Sequence, residues 1–348
     1  MNSNSVGTTS PTTIAHYYYL DRLRVFACVA VVSSHVIVNP KNYFNPFGNN
    51  MIIIYDFIRY ISCYAVPIFL MITGCLLLDS DKIISIKKLF ARYIVRILAI
   101  IAVFGTLFNV IENYFLTKMI SAQSIVHAFF GAINGDTWEH MWYLYVLIGL
   151  YLFVPVFKCM TMSITQAVYQ YLLVILLAAS CIFPFINIFI QFDFKIPLTS
   201  VYVFYLFLGL YIRKYSIDIK MTILLFWCGL ILIIIGTIIN NLLSDKFAKV
   251  LIGYTGIGTV CISIGIFSFF KCKMNQPINK FVKSISDCSM GIYILHMIFV
   301  NFIVKYMNFS IYDSIMIVSF LIETFLVFCG SYFVTLVIRK IPYMNKLF

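Results

Sequence analysis

The stretch YYYLDRLRVFACVAVVSSHV, residues 17–36, is apolar enough to enter a membrane and yet carries charged residues and a histidine. Arg24 and His35 are eleven residues apart, which in an α-helix corresponds to about 16 Å of rise and roughly 20° of rotation. We therefore expect both side chains on one face of the helix, at different depths. Ionisable side chains in a membrane-spanning helix are costly, usually face the protein interior and mark functional sites. This face is accordingly a candidate functional site.

The composition of the whole chain indicates an all-α polytopic membrane protein. Of its 348 residues, 62% are hydrophobic, 18% are aromatic and only 11% are charged. A soluble globular protein has about 25% charged residues, so that class is excluded. The net charge of +12 does not indicate a nucleic-acid partner, because the basic residues lie between apolar runs. The ten cysteines are scattered without metal-ligand spacing, so we expect no metal site.

We divide the chain into a disordered tail (1–16), a transmembrane domain (17–340) and a short second tail (341–348). Runs long enough to cross a bilayer, by the measure of about 20 residues per span, indicate a bundle of about ten transmembrane helices. The predicted spans cover residues 17–38, 52–78, 94–111, 141–157, 168–190, 201–212, 222–239, 250–270, 290–306 and 315–338.

The distribution of basic residues predicts the orientation of these spans. Most of the 25 Lys and Arg residues fall at the start of the first span or in and beside the loops that follow even-numbered spans. Cytoplasmic loops carry such an excess, so both termini are predicted to be cytoplasmic. Arg24 then lies near the inner surface and His35 near the outer one. Asp21, three residues before Arg24, is placed to pair with it.

A cation at the inner end and an imidazole at the outer end suit a path for a long molecule that is anionic at one end and reactive at the other. The simpler interpretation is that Arg24 extends to the lipid headgroups and His35 is an interfacial histidine. Their shared face favours the functional interpretation.

Several other polar residues are candidates, each with a simpler alternative. Asp136, Glu139, His140 and Trp142 lie together on the outer side and are candidates to bind a sugar. Glu139 is the expected partner that orients an imidazole. The alternative is that the group belongs to an interfacial aromatic belt. The basic cluster of Lys88, Arg92 and Arg96 is a candidate to bind phosphate groups; the alternative is that it only sets the orientation of the spans in the membrane. Arg59, expected to pair with Asp56, and His296, three residues after Tyr293, are weaker candidates for substrate contact.

Four stretches resemble the acyltransferase 3 family of integral membrane O-acyltransferases. LDRLRVFACVAVVSSH (20–35) is similar to the family's opening motif, a basic residue, ten others and then His. The other three, in family order, are VPIFLMITGCLLL (66–78), EHMWYLYVLIGLYLFVP (139–155) and SDCSMGIYILH (286–296). The chain departs from the family pattern at Thr73-Gly74, where Ser-Gly is usual, and in the basic cluster after the second span. It is most similar to the single-domain type that acts on enterobacterial common antigen.

The resemblance implies a bacterial inner-membrane enzyme that moves an acetyl group from cytoplasmic acetyl-CoA to a hydroxyl of a surface or lipid-linked carbohydrate. Arg24, with Lys88, Arg92 and Arg96, would then bind acetyl-CoA, and His35 with Glu139 would act in catalysis. His140, Trp142, Asp136, His296 and Arg59 would contact the carbohydrate. His35 would serve either as general base or as transient acyl carrier.

Two alternatives remain open from the sequence. One is a transporter or flippase of a lipid-linked glycan, although the internal repeats that many transporters show are not found here. The other is transfer of succinyl or another acyl group. Membrane lipid is an expected partner and nucleic acid is not; the oligomeric state, including a homo-oligomer, is open.

Overall fold

The computed structural model describes residues 16–44, 52–79, 85–190, 200–243, 245–303 and 316–348. Every regular element in these ranges is helical, which confirms the all-α class. The predicted disordered tail lies outside the described residues except for His16.

We number twelve helices in chain order. The first six are α1 (Tyr18–Phe44), α2 (Ile52–Leu77), α3 (Ile86–Thr117), α4 (Ala122–Asn134), α5 (Glu139–Ser163) and α6 (166–190). The other six are α7 (Val201–Lys214), α8 (Ile219–Leu242), α9 (Ile257–Lys273), α10 (Lys280–Asp287), α11 (Ser289–Asn301) and α12 (Met316–Ile338). Short helical turns cover Asp245–Ala248 and Met344–Lys346.

Within the described ranges, six helices are long and apolar enough to cross a membrane: α2, α3, α5, α6, α8 and α12. The predicted count of ten is therefore not confirmed. Of the remaining predicted spans, α7 has 14 residues, α9 has 17 and α11 has 13. The helix α1 has 27 residues but carries Asp21, Arg22 and Arg24 in its first turns.

Side-chain caps explain where several helices begin. A helix start leaves backbone N–H groups without partners, and Ser, Thr, Asp and Asn side chains accept from them. The structure shows such caps at Ser121 before α4, Thr165 before α6, Ser200 before α7, Asp218 before α8 and Asn279 before α10.

The helix α1 lies in the middle of the bundle. It contacts α2, α9, α10, α11 and α12, and Leu23, Ala27, Val32 and Val36 on it are fully buried. The helix that carries Arg24 and His35 is thus surrounded by protein on most sides, which places both residues inside the molecule.

The helices α2 and α7 meet backbone to backbone through two glycines. A Cβ atom added at Gly74 would lie 1.8 Å from the Leu206 carbonyl oxygen, and one added at Gly209 would lie 2.1 Å from that of Met71. The Cys75 thiol donates to the Gly209 carbonyl oxygen at 3.0 Å. Small residues permit such close helix packing in membranes, where dispersion and hydrogen bonding drive association. This contact fixes the position of α2, which forms one wall of the site.

Candidate functional site

Asp21 organises one end of the site. Its carboxylate is 1% exposed and accepts hydrogen bonds from Arg24 Nη1 at 2.9 Å and from Ser286 Oγ at 2.7 Å. Lys283 Nζ lies 3.5 Å from the same oxygen, and His16 Nε2 lies 2.7 Å from the other. The predicted pair of Asp21 and Arg24 is confirmed. A buried carboxylate with this many donors holds its charge and fixes the Arg24 guanidinium.

Arg24 lines a narrow cavity of about 180 Å³, which we call the Arg24 cavity. Its walls come from α1, α2, α5 and α11 and are apolar apart from Arg24, Thr73, Ser289 and tyrosine hydroxyls. Such a space suits an uncharged chain whose charged end stays beside the guanidinium.

His35 lines a larger cavity of about 640 Å³, the His35 cavity, whose walls are more polar. Five of the predicted site residues line it: His35, Arg59, Glu139, His140 and Trp142. The structure thus brings together residues from α1, α2 and α5, of which His35 and Trp142 are 107 positions apart in the chain.

The two cavities are adjacent. Val31, Val66, Tyr143 and Tyr293 line both of them, and we call these four residues the junction. Tyr293 donates a hydrogen bond to the His140 carbonyl oxygen, and its ring lies 5.8 Å from that of Tyr143. Arg24 and His35, predicted to share one face of α1, therefore line neighbouring cavities that have the junction in common.

Three histidines from three helices meet beside the junction. The ring centroid of His35 lies 5.1 Å from that of His296 and 6.3 Å from that of His140, and the last two are 5.3 Å apart. His140 Nε2 lies 3.2 Å from the Ile294 carbonyl oxygen, and His296 Nδ1 lies 3.2 Å from that of Ile292. Among the described residues no group of His, Cys, Asp or Glu has the geometry of a metal site.

Aromatic rings and one cation also line the His35 cavity. The Trp142 ring lies 5.3 Å from that of Tyr254, and the Arg59 guanidinium lies 5.4 Å from the centre of the Tyr60 ring. Flat aromatic faces with a few polar groups are the usual walls of a specific small-molecule site.

Three predicted site residues have other surroundings than expected. Glu139 lines the cavity but is exposed, and the hydrogen bonds and ion pairs of the described residues do not join its carboxylate to an imidazole. Asp136 is exposed and is not among the lining residues of the His35 cavity. His296 is fully buried and touches His35 without lining the cavity itself.

The basic cluster on α3 is separate from the Arg24 cavity. Lys88 and Arg92 are exposed, and Arg96 Nε donates to the Leu347 carbonyl oxygen at 2.9 Å. None of the three is among the residues that line the Arg24 cavity in the described part of the chain. Asp56, expected to pair with Arg59, accepts a hydrogen bond from Asn241 Nδ2 at 3.2 Å.

The sequence did not identify the junction, and of the aromatic rings that line the His35 cavity it identified only Trp142 as functional. Val31 and Val66 are ordinary apolar residues, so nothing in their type sets them apart. Tyr254 offered a weak signal, since it stands in the glycine-rich turn LIGYTGIG (251–258) between two apolar runs. Ser286 opens one of the family-like stretches, and the structure gives it a contact, the hydrogen bond to Asp21.

Comparison with known families identifies the family of this chain. The model of the acyltransferase 3 family, described as an acyltransferase domain, matches residues 17–340, which is nearly the whole chain. Neither the curated proteins nor the solved structures gave a match. The apolar helices and this match together show that the chain belongs to the acyltransferase 3 family and is a membrane-bound acyltransferase.

Proposed function

We propose that the protein moves an acetyl group from cytoplasmic acetyl-CoA to a hydroxyl of a surface or lipid-linked carbohydrate on the outer face of a bacterial inner membrane. The observation that carries this proposal is the pair of adjacent cavities, of which Arg24 lines one and His35 the other. The proposal includes ten spans with cytoplasmic termini, and the type of acceptor found in enterobacterial common antigen.

The Arg24 cavity fits the donor. Acetyl-CoA has a phosphorylated head, a long uncharged arm and a terminal thioester, and the cavity has a fixed guanidinium followed by apolar walls. In this arrangement the arm fills the cavity and the thioester reaches the junction. We assign Lys88, Arg92 and Arg96 to the phosphates of the head, outside the cavity.

The three histidines fit the chemistry. The acceptor hydroxyl gives its proton to a His35 nitrogen while its oxygen forms a bond to the thioester carbonyl carbon. The carbon–sulfur bond breaks, and the CoA thiolate leaves and takes up a proton. The products are an acetyl ester and CoA thiol, with atoms and charge balanced. A neutral imidazole suits this role, since its ordinary pKa lies near 6.5.

The His35 cavity fits a carbohydrate acceptor. Trp142, Tyr60 and Tyr254 present aromatic rings on which a sugar ring can stack, and Glu139, His140 and Arg59 present polar groups to its hydroxyls. We place Asp136 at the rim of this site. The cavity, at about 640 Å³, has room for more than one sugar residue.

Transfer in oriented membrane vesicles tests the proposal. Radiolabelled acetyl-CoA is supplied from the cytoplasmic side to wild type, His35→Ala and Arg24→Ala, and label is measured in extracted glycan. We expect label with wild type and a loss of at least about 100-fold with His35→Ala, because a general base contributes about that factor or more. His127→Ala, which changes an exposed histidine on α4, serves as the matched control.

The transporter hypothesis makes the opposite forecast in the same vesicles. In that case acetyl-CoA neither binds nor donates, and deletion of the protein reduces glycan export. If label appears only with succinyl-CoA or another acyl-CoA, the protein is still an acyltransferase, but its donor is not acetyl-CoA.

A further inference from the structure

We infer that His296 is a positioning residue for His35, to which it offers a hydrogen-bond acceptor that holds the His35 ring in one tautomer and orientation. This inference rests on the proposed function of His35 in acyl transfer. It gives His296 a role through a neighbouring side chain instead of the direct carbohydrate contact expected from the sequence.

The tautomer of His296 follows from its backbone contact. Its Nδ1 lies 3.2 Å from the Ile292 carbonyl oxygen, and a carbonyl oxygen can only accept, so Nδ1 carries the hydrogen. The other nitrogen, Nε2, is then a bare acceptor. It is completely buried and has no hydrogen-bond partner within the described structure. Buried polar atoms without partners are rare and call for a specific explanation.

His140 shows the same arrangement and cannot satisfy His296. Its Nε2 lies 3.2 Å from the Ile294 carbonyl oxygen and so carries the hydrogen, while its buried Nδ1 is a second bare acceptor. Two acceptors do not pair with each other. The donor must come from a third group that reaches this position.

His35 is that third group. Its ring lies 5.1 Å from that of His296, centroid to centroid, with 51° between the planes. A hydrogen bond of about 2.9 Å between two imidazole nitrogens sets the ring centroids roughly 5 Å apart. The observed distance between the ring centroids therefore fits a hydrogen bond between the two side chains. A rotation of the His35 ring aligns its N–H with His296 Nε2.

The hydrogen bond to His296 determines which His35 nitrogen faces the cavity. With one His35 nitrogen donating to His296, the other presents its lone pair toward the cavity that His35 lines and His296 does not. The acceptor hydroxyl proton then moves to that lone pair. The resulting imidazolium keeps its hydrogen bond to His296, which stays neutral, and His35 later gives the proton to the CoA thiolate. A buried partner that fixes a catalytic imidazole in this way is worth several orders of magnitude in serine proteases.

Kinetics of His296→Leu and His296→Gln test the role. We expect His296→Leu to lower kcat roughly 100-fold with the KM values for acetyl-CoA and carbohydrate changed less than about 3-fold, because neither substrate touches His296. The Gln side chain carries an amide oxygen close to the position of Nε2, so we expect His296→Gln to recover at least about a tenth of the lost rate. His127→Leu is the matched control.

A spectroscopic measurement tests the same contact without any turnover. The chain has five histidines, so ¹⁵N-histidine spectra can be assigned by removing one histidine at a time. We expect wild type to show one dominant His35 tautomer with a scalar coupling between a His35 nitrogen and His296 Nε2. His296→Leu should give a mixture of His35 tautomers.

Two results would overturn the inference. One is an unchanged His35 tautomer in His296→Leu with no coupling in wild type. The other is a raised KM for carbohydrate with kcat unchanged, which would make His296 a substrate contact. If wild type transfers no acyl group at all, the proposed function fails, and the spectra still decide whether the two histidines are bonded.

Discussion

Asp21 shows how one buried side chain can support the site without touching either substrate. It accepts hydrogen bonds from Arg24 and Ser286, and Lys283 and His16 lie beside it, so its charge balances cations from α1 and α10. Removing one partner of a buried ion pair leaves the remaining charges uncompensated, which is more costly than the pair itself is stabilising.

We therefore expect Asp21→Asn to lower the free energy of unfolding by about 3 kcal/mol, measured by thermal unfolding in detergent. The matched control is Asp287→Asn. That carboxylate lies 2.8 Å from Lys283 Nζ but is 40% exposed, and surface pairs are worth about 1 kcal/mol or less. Equal effects of the two substitutions would show that the buried network adds no stability.

Residue spacing predicted only what lies on one helix. The eleven-residue separation of Arg24 and His35 indicated a shared face, and the structure places both along one side of α1. The approach of His140 and His296 to His35 depends on how α5 and α11 pack against α1. No local pattern encodes that packing, so the contact among the three rings could not be derived from spacing.

Element boundaries explain why the predicted number of spans is not confirmed. The predicted span 250–270 begins in a turn, because Gly253 adopts a left-handed conformation (φ 78°) and the helix α9 starts only at Ile257. At 1.5 Å per residue, a 14-residue helix such as α7 rises about 21 Å, less than the roughly 30 Å hydrocarbon core. An apolar run in a sequence does not reveal where its helix stops.

The glycine contact between α2 and α7 gives a prediction for helix packing. We expect Gly74→Ala to destabilise the protein by about 3 kcal/mol, because the new methyl group would meet the Leu206 backbone carbonyl, which cannot move aside like a side chain. Thermal unfolding followed by size-exclusion chromatography in detergent measures the effect.

Gly149 on α5 supplies the control for this substitution. A Cβ atom there meets nothing within 4 Å, so Gly149→Ala should be neutral or stabilise the helix by up to about 1 kcal/mol. If Gly74→Ala proves as mild as Gly149→Ala, the two helices are not in the close contact described.

At the scale of the whole molecule, the junction is the narrow point between the two cavities. Val31→Phe adds bulk there without removing a polar group, so we expect acetyl transfer in vesicles to fall at least about 10-fold while the protein still folds. Overpacking lowers the free energy of unfolding by about 1–3 kcal/mol, so the variant must be shown to remain folded before its rate is compared with that of wild type. Initial rates with labelled acetyl-CoA measure the loss.

Val29→Phe is the matched control, two residues away on the same helix. Val29 is 40% exposed and points away from both cavities, whereas Val31 is 6% exposed and lines both. A similar fall in rate with both variants would indicate a general effect of bulk on α1 and would argue against a passage at the junction.

The side chains of the junction, two valines and two tyrosines, also bear on the energetics of the membrane. In the proposed reaction the acetyl group that passes them carries no charge, so it does no work against a transmembrane voltage, which costs an ion about 2.3 kcal/mol per 100 mV. With the proton of the acceptor hydroxyl transferred to the departing CoA thiolate, the proposed reaction moves no net charge across the membrane. Under the proposed function, a cell modifies its outer surface with thioester energy alone and draws nothing from the proton or sodium gradients that its transporters and motors share.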